Sequence, residues 1–170
     1  ECGIVGLYTP GMHAAKSAFF ALFALQHRGQ ESAGICSADG ESVYMEKGQG
    51  LVSQVFHQDT LDSLPGEFAI GHNRYSTTGT SVFRNAQPIV CVTESHQVGV
   101  GHNGNLVNTW QLRQELQEEG FAFETTNDSE LIAILLHKHM SEGPEAAVAA
   151  TMKRLKGAYS VVAITPDCLI

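Results

Sequence analysis

The sequence is short of positive charge, holds a single tryptophan, and lacks both a CxxC pair and a long apolar run. Ten Lys and Arg stand against eighteen Asp and Glu, a formal charge of −8. Nucleic acid and anionic membrane surfaces are polyanions, so this balance disfavours them as partners and points to a small molecule. The cysteines Cys2, Cys36, Cys91 and Cys168 are too widely spaced for a zinc site or a short-range disulfide framework, and reduced thiols in the cytoplasm are the expectation. No apolar stretch reaches the roughly 18 residues of a membrane span, and no basic-then-apolar leader is present. The chain therefore reads as soluble. Internal repeats and low-complexity linkers are missing too. What remains, 170 residues that are 43% hydrophobic, suffices for one domain with a real core.

Local patterns predict a strand over Gly3–Tyr8 and a helix over Ala14–His27, with Ala15, Ala18, Phe19, Leu22 and Gln26 on one side and Gly29 as its stop. That helix carries too many large apolar groups for a surface helix. Short β-type runs follow over residues 33–38, 42–47, 68–74, 89–93 and 98–102, and Asp39-Gly40 signals a hairpin. Residues 77–88 read as a long loop beside a site. Asn108 with Gln111, and Asn127 with Glu130, have capping-box spacing at the starts of two helices. A further helix runs from Pro144 to Gly157, and Tyr159–Thr165 reads as a buried strand. Many strands followed by helices is no βαβ repeat, so the expected class is α+β, with antiparallel sheets covered by helices. The closing Cys168-Leu169-Ile170 reads as a hairpin cut midway, hence as part of a longer polypeptide.

Candidate chemistry sits in short segments. Cys2 opens the apolar run Cys2-Gly3-Ile4-Val5-Gly6-Leu7 with only Glu1 before it. Once Glu1 is removed, the thiol's own α-amine, with a pKa of about 7.7–8.0 in peptides, can serve as its base; the alternative is a buried cysteine on a strand. Arg74 follows an apolar strand and can hold a carboxylate through two parallel hydrogen bonds, or form a surface ion pair. Asn103-Gly104 places an amide side chain beside a bare backbone N–H, the two donors an oxyanion hole needs, or is only a turn. Asp128 at a helix start can receive an ammonium, or complement the helix dipole. Together these describe cleavage of the side-chain amide of a free amino acid.

The segments Cys2-Gly3-Ile4-Val5-Gly6, Gln26 to Gly34, Gly71 to Gly79, His102 to Leu106 and Asp128-Ser129-Glu130 closely resemble, in order and over nearly the whole chain, the glutaminase domain of the glutamine phosphoribosylpyrophosphate amidotransferases. The resemblance implies the N-terminal-nucleophile fold, a four-layer αββα sandwich of two antiparallel sheets. It implies an incomplete class II glutamine amidotransferase domain over residues 1–170, with a phosphoribosyltransferase domain beyond the chain. L-Glutamine would be hydrolysed to glutamate and ammonia through a cysteinyl thioester, and the ammonia used to aminate phosphoribosyl pyrophosphate in purine synthesis. By position, Cys2 would be the nucleophile, Asn103 and Gly104 the oxyanion hole, Arg74 the carboxylate receptor and Asp128 the ammonium receptor. Tyr75 and Ser76 would contact substrate within a closing loop running to about Asn85, and Arg28 would support the nucleophile. No cofactor or metal is implied in this domain. Magnesium and, in some members, an iron–sulfur cluster belong to the region beyond, as does homo-oligomer formation.

Mature members begin at the cysteine, so Glu1 is expected to be the last residue of a short propeptide or an addition made for expression. Glucosamine-6-phosphate synthase resembles the same domain but usually has tryptophan where Tyr75 stands; Tyr75 and Gly104-Asn105-Leu106 favour the purine enzyme. Two other readings are an unprocessed, inactive domain that only binds a partner, and a metal site built from His13, His27, His72 and His102. Against the latter, the spacing offers no HExxH, and His72 and His102 are better placed for hydrogen bonds within the sheet.

Overall fold

The computed structural model describes residues 2–75, 83–93 and 96–170. Along the chain they form β1 (Gly3–Tyr8), α1 (Ala14–Ala24), β2 (Ser32–Ala38), β3 (Val43–Gln49), α2 (Val52–Val55), α3 (Gln58–Asp62) and β4 (Phe68–Arg74). There follow β5 (Ile89–Val92), β6 (Gln97–Leu106), α4 (Thr109–Glu118), α5 (Asp128–His139), α6 (Pro144–Arg154) and β7 (Gly157–Ile164). All strand pairs are antiparallel, in one sheet ordered β1-β4-β2-β3 and a second ordered β5-β6-β7.

Three apolar cores define four layers. Ala14, Ala15, Ala18 and Leu22 of α1 pack on Ala33, Ile35 and Ala69 of the first sheet. Between the sheets lie Cys36, Ala38, Ile70 and Ile164, joined by Val43, Phe68, Val90, Val162 and Leu169. On the outer side of the second sheet, Val98, Val100 and Ala163 meet Leu131, Ile132, Leu135 and Leu136 of α5. The order helix, sheet, sheet, helix is the αββα sandwich. Because β2 is covered on both faces, every residue from Ser32 to Ala38 is buried, so this antiparallel strand shows no alternation of polar and apolar residues. Asp39-Gly40 does turn β2 into β3: the Asp39 carboxylate accepts the Glu41 and Ser42 N–H groups, and Gly40 takes φ +99°.

Several expectations need correction. The first helix ends at Ala24, not His27, and a 3₁₀ turn over Gln26–Arg28 follows. The Gln26 side chain draws the chain out of the helix by donating to Gly29 O (2.6 Å) and accepting Val52 N–H (2.8 Å). Nor is α1 buried all round, since Phe20 and Phe23 lie on an exposed outer face. Asn108 makes no cap and no capping box forms with Gln111; its amide instead ties α4 to the α6–β7 link through Arg154 O and Lys156 N. Asn127 does cap α5, accepting Ser129 N–H at 3.1 Å. Glu130 does not close that box, because its carboxylate accepts the N–H groups of Glu124 and Thr125 and the Thr125 hydroxyl. β7 is an edge strand, half exposed along its first part. The segments α2 and α3 are one-turn helices too short to leave a periodic signal. Of the expected loop over 77–88, residues 77–82 lie outside the described residues, and Phe83–Asn85 form a 3₁₀ turn.

Candidate active site

The two sheets meet so that the start of β1 faces the far half of β6. Cys2 is half-buried, and its backbone N–H donates to Asn103 Oδ1 at 2.9 Å. This bond joins residues 101 positions apart and leaves Nδ2 as the free donor end of the Asn103 amide. The Cys2 thiol lies against Tyr75, whose N–H points at Sγ from 3.5 Å. Arg28 Nε donates to Cys2 O at 3.0 Å, a bond to the backbone of Cys2. Burial raises the pKa of the thiol above its usual value, and the Tyr75 hydrogen bond and the positive charge of Arg74 oppose that shift without overcoming it. The thiol is therefore protonated at neutral pH and needs a base.

Next to Asn103, Gly104 takes φ +146°. A Cβ there would lie 2.3 Å from Ala158 O and 2.6 Å from Tyr159 Cα, so the close approach of β6 to β7 admits only glycine. Cys2, Tyr75, Asn103 and Gly104 line one side of a hollow of about 540 Å³ walled by Ala158–Ser160.

A second hollow, of about 360 Å³, adjoins the first at Asn105, which lines both. Its walls include Arg74, Asp128, Trp110, Arg113 and Asn85. Arg74 ends β4 and is only 5% exposed, with Nη1 bonded to Glu31 Oε1 at 2.5 Å. It is thus neither a surface ion pair nor an isolated cation. The turn that leads into β2 packs closely on the backbone of Arg74: a Cβ on Gly29 would lie 2.6 Å from the Arg74 carbonyl carbon. Asp128 opens α5, and its carboxylate takes His102 Nδ1 at 3.3 Å and Leu106 N–H at 3.3 Å. Burial works against ionisation of Asp128, but the His102 hydrogen bond and charge and the Leu106 N–H outweigh it and hold the carboxyl below the usual aspartate range. A guanidinium and a carboxylate in one hollow match the two charges of an amino acid's head group.

The loop leading into Asp128 is tied down from three sides. Glu130 holds residues 124–125 as described. Arg113 stacks on Phe123 and donates to Thr125 O and Asn127 O. The buried Asn85 exchanges hydrogen bonds with Thr126 and accepts Asn127 Nδ2. Arg113 and Asn85 have no sequence signal for these contacts, the capping-box spacing of Glu130 pointed to a different partner, and the Glu31–Arg74 and His102–Asp128 contacts have no signal either. Of the residues expected in the closing loop, Tyr75 and Phe83–Asn85 are described, whereas Ser76 lies outside the described residues, as does Glu1. Among the described residues no group of three or more His, Cys, Asp or Glu could hold a metal. His72 instead donates from Nε2 to His102 O (3.1 Å), and burial lowers its pKa to about 3. Among the described residues no helix is long and apolar enough to cross a membrane.

The chain matches known proteins on the same ground. Residues 72–168 match the model of the glutamine amidotransferase domain family. The amidophosphoribosyltransferase of Synechococcus elongatus is 48% identical over 170 residues, covering 99% of this chain and 34% of the relative. That of Synechocystis sp. is 47% identical, covering 99% of this chain and 35% of the relative. The glutamine phosphoribosylpyrophosphate amidotransferase from B. subtilis, solved in complex with ADP and GMP, superimposes with a TM-score of 0.85 at 36% identity, over 96% of this chain and 35% of that one. The chain thus spans about a third of the length of the curated relatives it matches. The family model covers more than half of the chain, including the strand and helix that carry Asn103 and Asp128, and this chain belongs to the glutamine amidotransferase domain family.

Proposed function

We propose that this chain is the glutaminase part of an amidophosphoribosyltransferase. Its reaction is hydrolysis of L-glutamine to glutamate and ammonia, and a phosphoribosyltransferase domain beyond residue 170 uses the ammonia to aminate phosphoribosyl pyrophosphate in purine synthesis. The observation that carries the reading is the bond from Cys2 N to Asn103 Oδ1, which sets a thiol, its own nitrogen and an amide donor around one hollow. Arg74 receives the substrate α-carboxylate and Asp128 the α-ammonium, and the chain beyond Cβ runs past Asn105 toward Cys2. The freed α-amine of Cys2 takes the thiol proton, and the thiolate attacks the amide carbon. Asn103 Nδ2 and Gly104 N–H hold the oxyanion, a contribution of a few kcal/mol. The ammonium returns its proton to the nitrogen as the C–N bond breaks, and water then releases glutamate from the thioester. Tyr75 borders the substrate, Ser76 is assigned to substrate contact on the family resemblance alone, and Arg28 steadies Cys2.

In the whole protein, we assign magnesium, an iron–sulfur cluster where one is present, and the homo-oligomer contacts to the region outside this chain. The cytoplasm is the proposed compartment, in keeping with four cysteines that form no disulfide. Glu1 decides the test. While it is attached the Cys2 nitrogen is an amide with no basic lone pair, so glutaminase activity should be absent. Mass-verified chains with and without Glu1 are assayed for glutamate release and for labelling by 6-diazo-5-oxo-norleucine. Turnover and Cys2 labelling should occur only in the trimmed chain, and equal rates in both forms would refute the α-amine as base. Cys2→Ala should abolish the activity of the trimmed chain.

A further inference from the structure

Trp110 is the chain's single tryptophan and is 74% exposed on the first turn of α4, an unusual position for the largest apolar side chain. Its indole lines the same hollow as Arg74, Asn105 and Asp128. Asp128 is already engaged by His102 Nδ1 and Leu106 N–H, so only part of its acceptor capacity remains for a ligand ammonium. An aromatic face in that hollow offers the cation a second favourable surface, and the wide exposure of the indole leaves area for a ligand to cover. We propose that Trp110 is a specificity-determining residue that takes the substrate's α-ammonium against its indole and rejects glutamine whose α-nitrogen is acylated. Such a compound lacks the cation that Asp128 and the indole would share, and its added carbonyl would press on the ring. The proposal rests on the glutaminase reading above.

The single tryptophan supplies its own readout. In the full chain trimmed to Cys2 and carrying Cys2→Ala to stop turnover, titration with L-glutamine should change the Trp110 emission saturably, and N-acetyl-L-glutamine should leave it unchanged. In the active trimmed chain, Trp110→Ala should raise the glutamine KM about tenfold, acting on KM rather than on kcat. Trp110→Phe, which keeps an aromatic face and the fold, should recover most of that loss. Discrimination against N-acetyl-L-glutamine should narrow in Trp110→Ala. An unchanged KM in Trp110→Ala, or an emission blind to glutamine, overturns the assignment while leaving the glutaminase intact. Should the trimmed parent neither release glutamate nor label at Cys2, the glutaminase reading fails, and this inference with it.

Discussion

Replacing Asn103 by aspartate isolates one atom of the site. The side chain does two things: Oδ1 accepts the Cys2 N–H at 2.9 Å, and Nδ2 is the donor assigned to the oxyanion. Asn103→Asp keeps an acceptor in place and removes the donor, whereas Asn103→Ala removes both. Loss of one oxyanion donor costs about 2.7–4 kcal/mol, or about 10²–10³ in kcat. Both variants should therefore fall by at least about a hundredfold in kcat with a largely unchanged KM, because the missing bond matters to the transition state more than to bound glutamine. Their pH profiles should differ. In the trimmed chain a carboxylate 2.9 Å from the amine favours the ammonium form, raises the amine's pKa and moves the rise of kcat to higher pH. Asn103→Ala carries no such charge and should show no such shift. Steady-state glutamate release from about pH 6 to pH 10 reads all of this. A kcat within about tenfold of the parent, with the loss confined to KM, would place the oxyanion hole elsewhere.

Further outcomes follow from buried charge. Arg74→Ala should raise the glutamine KM by about a hundredfold or more, since a desolvated carboxylate loses its partner; lysine, without the planar fork, should restore it only in part. The same change removes the cation bonded to Glu31 Oε1, so Glu31→Gln, which takes away the half-buried negative charge, should recover melting temperature in Arg74→Ala without recovering KM, and recovery of KM would refute direct binding. His72 has its pKa lowered from 6.5 to about 3 by burial, so the unfolded chain binds a proton that the folded one does not as pH falls below 6.5. Its contribution to stability should fall by about 1.4 kcal/mol per pH unit there. In urea denaturation at pH 7 and pH 5, His72→Gln should be less disadvantaged at the lower pH. A destabilisation equal at both values would contradict a neutral buried His72.

The candidate site residues best marked by local spacing are those at the ends of elements: Arg74 closes a strand, Asp128 opens a helix and Cys2 precedes a strand. Asn103-Gly104 reads in the sequence as a strand end or a turn, whereas β6 runs on through both to Leu106, paired with β7. The supports around them were not legible. Glu31 reaches Arg74, and His102 reaches Asp128, across distances in the chain at which no periodicity operates. The outer face of α1 also misled, because Phe20 and Phe23 obey no rule that separates an inner from an outer stripe in so apolar a helix. Asn108 shows the same limit from the other side: its spacing suits a cap, but Arg154 and Lys156 offer it better partners.

Cys2 leads into one sheet and Asn103 lies in the other, and the layer between those sheets is built around Cys36, Ala38, Ile70 and Ile164. A slip of the sheets by the length of one bond would part Cys2 from the Asn103 amide while each sheet kept its own helices and hydrogen bonds. Turnover is then a strain gauge for the seam. Variants at Ile70 or Ile164, far along the strands from the thiol, would pass as catalytic mutants in an assay and as nearly native in a spectrum of secondary structure.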